Sequence, residues 1–264
     1  MILDSHVHFW DPRRLRYPWL DDVTRLNRPF TPADFPGGHE VIVVEGGRTP
    51  AGAGAEIAWL RTETALRPWI RGIVAHADLG NPTAVPRYAG DPFVVGVRHN
   101  VQDEAPGFLE GRDFRAGVRL LGEVGLPFDA CVRAHQLPEL AALAEACPRT
   151  TIVLDHLGKP SPGGPGYRGW RQDLRRLARN PAVRCKLSGL ATETAPGTAP
   201  SVVVDTLREA LDVFGPDRCL YGSDWPVMTL ATGYDAWLDL VRTALDGYPA
   251  EPVLHGNAEK IYLG

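Results

Sequence analysis

Eight short runs of β-branched and other apolar residues recur along the chain and alternate with longer stretches of helical period. This alternation is typical of βα units around a parallel sheet. The predicted strands span residues 2–9, 40–45, 70–79, 94–100, 126–133, 150–156, 183–190 and 219–225. Plausible helices between them include residues 55–66, 138–147, 170–179 and 201–214. Eight such units favour a closed (β/α)8 barrel of the TIM type over an open sheet.

The length of 264 residues suits a barrel that forms a single domain. Residues 11–36 contain Trp19 and five prolines, and they are too many for a simple turn. We therefore expect a long insert between the first strand and the first helix, positioned to cover a substrate. Residues 158–169 and 191–201 are expected to be further loops over the same rim.

Composition excludes several classes of partner. A formal net charge of −4 offers no basic surface for nucleic acid, and no apolar run is long enough to span a membrane. The first residues lack the pattern of a secretory signal, so a cytoplasmic location is expected. The four cysteines form no C-x-x-C pair and are expected to be reduced thiols. A small-molecule substrate is the expected partner, and the sequence leaves open whether the chain forms a homo-oligomer.

Unusual polar residues cluster where the predicted strands end. They are His6 and His8 on strand one, Glu45 on strand two, Arg98 and His99 on strand four, His156 on strand six, and Asp224 on strand eight. Because the carboxyl ends of barrel strands meet at one face, and that face carries the active site, these side chains are expected to converge.

Residues two apart face the same side of a strand, so Asp4, His6 and His8 are predicted to form one column, with Asp4 supporting the two imidazoles. By the same rule, His156 points inward if Leu154 packs inside the barrel, and Asp155 then points toward the helices. Asp224 would lie above the small residue Gly222, which leaves space for a substrate or a metal ion.

Each of these residues also has a purely structural interpretation. Two histidines can close a barrel, a single histidine can be a core residue, and Asp224 can cap a helix that begins near Pro226. Three histidines and one aspartate on strands one, six and eight nevertheless exceed what packing requires.

Seven segments then resemble the lactonase-type branch of the amidohydrolase superfamily, the branch of L-fuconolactonase, L-rhamnonolactonase and 2-pyrone-4,6-dicarboxylate lactonase. They are DSHVHFWDP, YPWL, GVRHNVQDE, QLP, VLDHLGKP, KLSGL and GSDWPV, and they occur in order along the whole chain. The resemblance implies a TIM-like barrel that hydrolyses a cyclic ester. It assigns the H-x-H motif to His6 and His8, the strand-six histidine to His156 and the strand-eight aspartate to Asp224.

The resemblance leaves metal use open. The ligand that the superfamily places on strand five has no secure counterpart here, although Arg133 and His135 are near, and members of this branch work with or without a divalent ion. With zinc, His6, His8 and Asp224 would be ligands. Glu45 would be a further ligand or would pair with Arg98 or Arg48. Without a metal, Asp224 would take the proton from water while the histidines polarise the carbonyl.

Four residues are expected to contact the substrate. Arg98 offers a bidentate fork and Lys186 a point charge, although either could form a structural ion pair instead. His99 alternates to the other face from Arg98, which makes it a weaker candidate. Trp225 could form an apolar wall, as could Trp10, although aromatic side chains at a barrel rim usually serve packing.

These observations predict a hydrolase of carbohydrate metabolism that opens a sugar-acid or carboxylated lactone to the hydroxy acid, with Asp224 and His156 as catalytic residues. A metal-dependent decarboxylase of the same superfamily would carry a similar set of residues. A non-catalytic ligand-binding barrel is disfavoured, because such a protein would be expected to lose one of the four.

Overall fold

A computed structural model describes residues 1–264, apart from the side chain of Pro82. Its eight strands form one parallel sheet whose spatial order follows the chain. The strands are β1 (Leu3–Val7), β2 (Glu40–Val44), β3 (Ile70–His76), β4 (Val94–Arg98), β5 (Phe128–Ala130), β6 (Ile152–Leu154), β7 (Val183–Leu187) and β8 (Cys219–Tyr221). The predicted (β/α)8 barrel and all eight strand positions are confirmed.

Helices surround this sheet, and most of them lie between consecutive strands. They are α1 (Ala53–Thr64), α2 (Arg112–Val124), α3 (Leu137–Ala146), α4 (Tyr167–Leu177), α5 (Leu190–Glu193), α6 (Pro200–Phe214), α7 (Tyr234–Ala244) and α8 (Asn257–Tyr262). Within the described part of the chain, the β1–β2 and β3–β4 connections contain only short 3-10 turns. Residues 11–36 therefore lead from β1 directly to β2 rather than to a first barrel helix.

The barrel closes where β1 meets the residues that follow β8. Val7 forms a parallel bridge with Trp225. The Asp224 backbone N–H donates to the His6 carbonyl at 2.8 Å, and the His8 N–H donates to the Trp225 carbonyl at 2.7 Å. This seam brings the H-x-H motif and Asp224 together through backbone hydrogen bonds.

The barrel interior is a small apolar cluster, separate from the larger core between sheet and helices. Its members are Leu3, Ile42, Val44, Val74, Val95, Val153, Leu220, Ala258 and Tyr262. Ala258 and Tyr262 belong to α8, so this helix packs against the strand side chains inside the barrel. Two such hydrophobic layers are usual for this architecture.

Two strands depart from the predicted side-chain directions. Val153 faces the barrel interior while Ile152 and Leu154 pack against the helices, so the prediction that Leu154 faces inward and Asp155 outward was wrong. The register of β1 shifts between Asp4 and Val7, which breaks the predicted column. Asp4 instead accepts hydrogen bonds from the backbone of His6 and Ser223 and from the Tyr234 hydroxyl.

Across the residues that the model describes, none of the helices is both long and apolar enough to cross a bilayer.

Candidate active site

Three imidazoles and one carboxylate meet at the carboxyl end of the barrel. His6 Nε2 lies 3.2 Å from His8 Nε2, and Asp224 Oδ1 lies 3.4 Å from His8 Nε2 and 3.8 Å from His6 Nε2. The His156 ring centroid is 4.5 Å from that of His6. All four side chains are buried. The structure thus brings together the four residues from strands one, six and eight.

The backbone reaches this arrangement through left-handed conformations. His156 has φ 55° and Asp224 has φ 62°, a region that residues other than glycine seldom occupy. Asp155 is the first residue after β6 and faces inward, and His156 comes next. The left-handed turn at His156 carries its ring into the cavity as well. Backbone strain of this kind is typical of functional sites.

Two glycines make room for the imidazoles. A Cβ on Gly222 would lie 2.8 Å from the Cβ of His6, and a Cβ on Gly189 would lie 2.3 Å from His156 Nδ1. Gly189 also has φ 63°, which a larger residue rarely adopts. The sequence predicted that Gly222 leaves space below Asp224 for a substrate or a metal ion, and in the structure the His6 side chain lies against Gly222 instead.

Burial and neighbouring charges set the protonation of the cluster. Burial lowers the pKa of His6 and of His156 well below the ordinary histidine value, so both rings are neutral at neutral pH. Burial alone would raise the pKa of Asp224, but His156 and His8 outweigh that effect and lower it. A carboxylate beside neutral imidazoles can accept a proton or hold a cation.

The donor set fits a divalent ion. Ligand atoms of His6, His156 and Asp224 lie within 4.8 Å of one another, and His8 Nε2 faces the same point. Nitrogen and carboxylate donors of this kind suit zinc and similar ions. Cys131, Asp155 and His156 satisfy the same distance criterion. However, burial raises the pKa of the Cys131 thiol to about 11, so without a metal it is a protonated thiol.

A cavity of about 540 Å³ opens above this cluster. His8, His156 and Asp224 contribute to its lining, and Arg98 and His99 lie along its wall. Its further lining residues include Trp19 and Glu45, from the β1–β2 and β2–α1 connections, and His76, Lys159 and Glu193. The volume suits a single small polar molecule.

Glu45 belongs to a buried ion-pair network. Arg98 donates through Nε to Glu45 Oε1 at 2.8 Å and through Nη2 to the Glu45 carbonyl at 2.6 Å, while Arg48 Nη1 donates to Glu45 Oε2 at 2.9 Å. Burial opposes ionisation, but Arg98 and Arg48 outweigh it and lower the pKa of Glu45 to about 2. Arginine side chains thus bind both carboxylate oxygens of Glu45. This is the ion-paired arrangement that the sequence left open as the alternative to metal binding.

Lys186 and Trp225 do not line the cavity. Lys186 is completely buried beneath His6, where it pairs with Asp129 and with Asp155. Trp225 packs its ring against Phe9, Phe30 and Phe35. Direct substrate contact by these two residues is not supported, because their side chains lie within the barrel and the aromatic core.

Sequence reasoning missed five residues near the centre. Asp155 lies 3.3 Å from His6 Nδ1, and Ser188 Oγ lies 2.9 Å from His156 Nδ1. Cys131, Lys159 and His76 line the cavity. Cys131 directly follows β5, and His76 ends β3, so the rule that strand ends carry functional groups could have found both. Nothing in the local pattern of the sequence distinguished Asp155, Ser188 or Lys159.

A comparison with protein families gives a match along nearly the whole chain. The model of the amidohydrolase family matches residues 3–263. An L-fucono-1,5-lactonase of Burkholderia multivorans is 36% identical over 263 residues, which cover 91% of this chain and 87% of the relative.

Solved structures are similar over the same extent. A crystal structure of a Burkholderia multivorans amidohydrolase with bound zinc has a TM-score of 0.89 and 32% identity, covering 100% of this chain and 99% of that one. A 2,6-dihydroxybenzoate decarboxylase from Rhizobium has a TM-score of 0.65 at 16% identity, covering 99% and 98%. At that identity the likeness concerns the fold alone.

Proposed function

This chain belongs to the amidohydrolase family, and we infer from that membership that it is a lactonase, which hydrolyses a small polar lactone to the hydroxy acid. The observation that carries this inference is the meeting of Asp224 with three histidines at the base of the cavity, in a chain 36% identical to an L-fucono-1,5-lactonase. A cyclic ester needs only an activated water and a polarised carbonyl, and this cluster provides groups for both.

Asp224 is the proposed general base. Its lowered pKa keeps the side chain ionised at neutral pH, and it borders the cavity beside His8 and His156. The carboxylate takes the proton from the attacking water, and His156, beside it, orients the lactone carbonyl. His156 is itself held by Ser188 through Nδ1, which leaves Nε2 for this contact.

We assign a divalent ion to His6, His8 and Asp224. His156 lies beside the same position, because its ligand atom is within 4.8 Å of those of His6 and Asp224. Zinc is the favoured identity, because zinc accepts nitrogen and carboxylate donors together and because the related Burkholderia amidohydrolase has zinc bound. When bound, the ion supplies Lewis acidity that acidifies water and polarises the ester. Glu45 is left out of this ligand set, since Arg98 and Arg48 engage both of its oxygens.

The cavity favours an uncharged, hydroxylated lactone over a carboxylated one. Among the described cavity-lining residues, each of the three basic side chains already has an acidic partner: Arg98 and Arg48 pair with Glu45, and Lys159 pairs with Glu193 at 3.3 Å. The half-buried rings of His76 and His99 have lowered pKa values because of burial, so they are neutral partners for hydroxyl groups.

A panel of lactones tests this function. Purified protein, with and without added Zn²⁺, is assayed in a pH-stat against L-fucono-1,5-lactone, L-rhamnono-γ-lactone and 2-pyrone-4,6-dicarboxylate. We expect the highest kcat/KM on a sugar lactone. Failure to hydrolyse any lactone with bound metal verified would contradict the proposal.

Asp224→Asn is the matched variant for this assay. The amide keeps the shape of the carboxylate but cannot accept the proton, so kcat is expected to fall about 10²–10⁴-fold at saturating metal. Circular dichroism checks that the variant is folded. An Asp224→Asn protein with near wild-type kcat would move the role of base to another residue, with His156 the first to test.

A decarboxylase remains the alternative within this superfamily, but no specific observation favours it. The similarity to the 2,6-dihydroxybenzoate decarboxylase supports the fold only. Release of CO₂ from 2,6-dihydroxybenzoate, assayed beside the lactone panel, would identify that activity.

A further inference from the structure

The ring of His99 is held in the cavity wall by three contacts. His99 is the first residue after β4. Its ring packs edge-on against Phe108, in the β4–α2 connection, and against Phe114 of α2, with a centroid distance of 5.5 Å to each. The backbone N–H of Leu79 donates to its Nδ1 at 3.1 Å. These contacts fix the orientation of a ring that lines the cavity above the active site.

The hydrogen bond from Leu79 determines which nitrogen of His99 carries the hydrogen. A backbone N–H can only donate, so Nδ1 must present a lone pair. Burial lowers the pKa of His99 although the carboxylates of Asp78 and Glu104 favour the charged ring, so the ring is neutral at neutral pH. A neutral imidazole with an unprotonated Nδ1 carries its hydrogen on Nε2. His99 is therefore a hydrogen-bond donor at Nε2.

This Nε2–H group is available to a molecule in the cavity. Glu104 Oε1 lies 4.0 Å from Nε2, which is beyond hydrogen-bond distance. Among the described residues no other side chain or carbonyl accepts from Nε2, and the atom is accessible to solvent rather than enclosed by protein. The packed ring thus presents a donor in a fixed direction.

The surroundings of this donor favour a hydroxyl oxygen as its acceptor. Asp78 Oδ1 lies 4.0 Å from Nδ1, and Glu104 Oε1 lies at the same distance from Nε2. Because these carboxylates repel a further negative charge, they oppose the binding of a carboxylate here. An ammonium group has only hydrogens to donate, so it cannot pair with Nε2–H. A hydroxyl oxygen has free lone pairs and carries no charge.

We propose that His99 is a specificity-determining residue, which donates through Nε2–H to one ring hydroxyl of a sugar lactone. A lactone that lacks this hydroxyl leaves the donor without an acceptor and binds more weakly. His99 contributes to binding and orientation, and it transfers no proton to or from the reacting atoms. This inference rests on the proposed function, since it assumes that the cavity holds a sugar lactone.

Paired changes in ligand and protein test the proposal. L-fucono-1,5-lactam keeps the ring hydroxyls of the lactone but resists hydrolysis, so calorimetry can compare its dissociation constant with those of analogues that each lack one ring hydroxyl. In wild type, loss of one particular hydroxyl should weaken binding about tenfold, the order of one hydrogen bond between neutral groups. His99→Phe keeps an aromatic ring between Phe108 and Phe114 but has no N–H, so loss of the same hydroxyl should change its affinity little.

Two further variants complete this comparison. His135→Phe is the matched control, because His135 is exposed and lies outside the cavity lining. It should lose as much affinity as wild type when the hydroxyl is removed. The amide of His99→Gln can donate a hydrogen bond, so this variant should again distinguish the two ligands in part. If every hydroxyl contributes equally in wild type and His99→Phe, or if the lactam does not bind wild type, the proposal is wrong.

Nitrogen NMR of wild-type protein labelled with ¹⁵N-histidine decides the proposal even if His99→Phe fails to fold. The His99 signals are assigned by their loss in His99→Gln. We expect the Nε2–H tautomer in the free protein, and we expect the Nε2 signal to shift with the complete lactam but not with the analogue that lacks the recognised hydroxyl. An Nδ1–H tautomer, or equal shifts with all ligands, would overturn the proposal.

The binding data also separate this inference from the proposed function. Hydrolysis of sugar lactones by a protein in which His99→Phe leaves all hydroxyl contributions unchanged would contradict the inference alone. A hydroxyl contribution that depends on His99, in a protein that hydrolyses no lactone, would contradict the function alone.

Discussion

Arg98 illustrates how geometry revises the role of a residue. A guanidinium at a strand end suggests a substrate contact, yet Nε and Nη2 are both engaged by Glu45. We expect Arg98→Ala to lower the free energy of unfolding by about 3–5 kcal/mol, because the substitution removes one partner of a buried ion pair. Urea denaturation measures this loss.

An exposed pair gives the control for that experiment. Arg71 and Glu40 lie on the surface, so Arg71→Ala should cost about 1 kcal/mol or less. An Arg98→Ala protein with wild-type stability and a raised KM would instead identify Arg98 as a substrate contact.

Single residues also show how far the sequence could predict the site. His6, His8, His156 and Asp224 were predictable, because each lies within three residues of the end of a strand and all strands of a parallel barrel point their carboxyl ends the same way. Lys186 could not be placed by this rule, because it lies within β7 and faces the interior. Its partner Asp129 belongs to β5 and its partner Asp155 follows β6, and a single sequence carries no signal of that pairing.

At the scale of elements, the loop after β7 contributes a carboxylate to the wall of the cavity. Glu193 ends the short helix α5 and pairs with Lys159 from the loop after β6. Glu193→Gln leaves the ammonium group without a carboxylate partner. We expect the ratio of kcat/KM for a carboxylated lactone to that for a sugar lactone to rise several-fold. Steady-state kinetics on 2-pyrone-4,6-dicarboxylate and L-fucono-1,5-lactone give this ratio.

The control for this loop is Glu145→Gln, an exposed glutamate remote from the cavity lining. Its substrate ratio should equal that of wild type. If Glu193→Gln leaves the ratio unchanged as well, Lys159 does not face the substrate.

The elements themselves were predictable to different degrees. Strands were found because runs of Val, Ile and Leu buried on both faces are distinctive. The crossovers without an α-helix were less visible, since the proline-rich stretches at 11–36 and 82–88 indicate only irregular structure. The turn of Asp155 into the barrel was missed because β6 is three residues long, and so short a strand gives little alternation to count.

At the scale of the whole molecule, the half-buried His76 makes stability depend on pH. Burial is the largest influence on His76 and lowers its pKa to about 4, against 6.5 in the unfolded chain. Between pH 4 and 6.5 the unfolded chain therefore binds a proton that the native protein does not, so stability falls on acidification through this window. The His76 contribution is at most about 3 kcal/mol.

His76→Gln removes this contribution, because glutamine does not titrate. The variant should lose less unfolding free energy than wild type between pH 7 and pH 4.5, as measured by urea denaturation at both values. His135→Gln, at an exposed position, is the comparison and should follow wild type. Equal losses in His76→Gln and wild type would show that this ring is solvated.

The seam between Val7 and Trp225 has a consequence for the order of folding. Val7 and Trp225 are far apart in the chain. The chain between them must therefore lose conformational entropy before the seam hydrogen bonds can form. Neighbouring strands, in contrast, pair with close partners. We expect the seam to be the last part of the sheet to form, and His6 and Asp224 face each other across it.

Refolding intermediates should therefore have strand and helix signals in circular dichroism but no hydrolytic activity, and activity should return only in the slowest phase. The rate at which hydrolytic activity returns would then measure the rate of barrel closure.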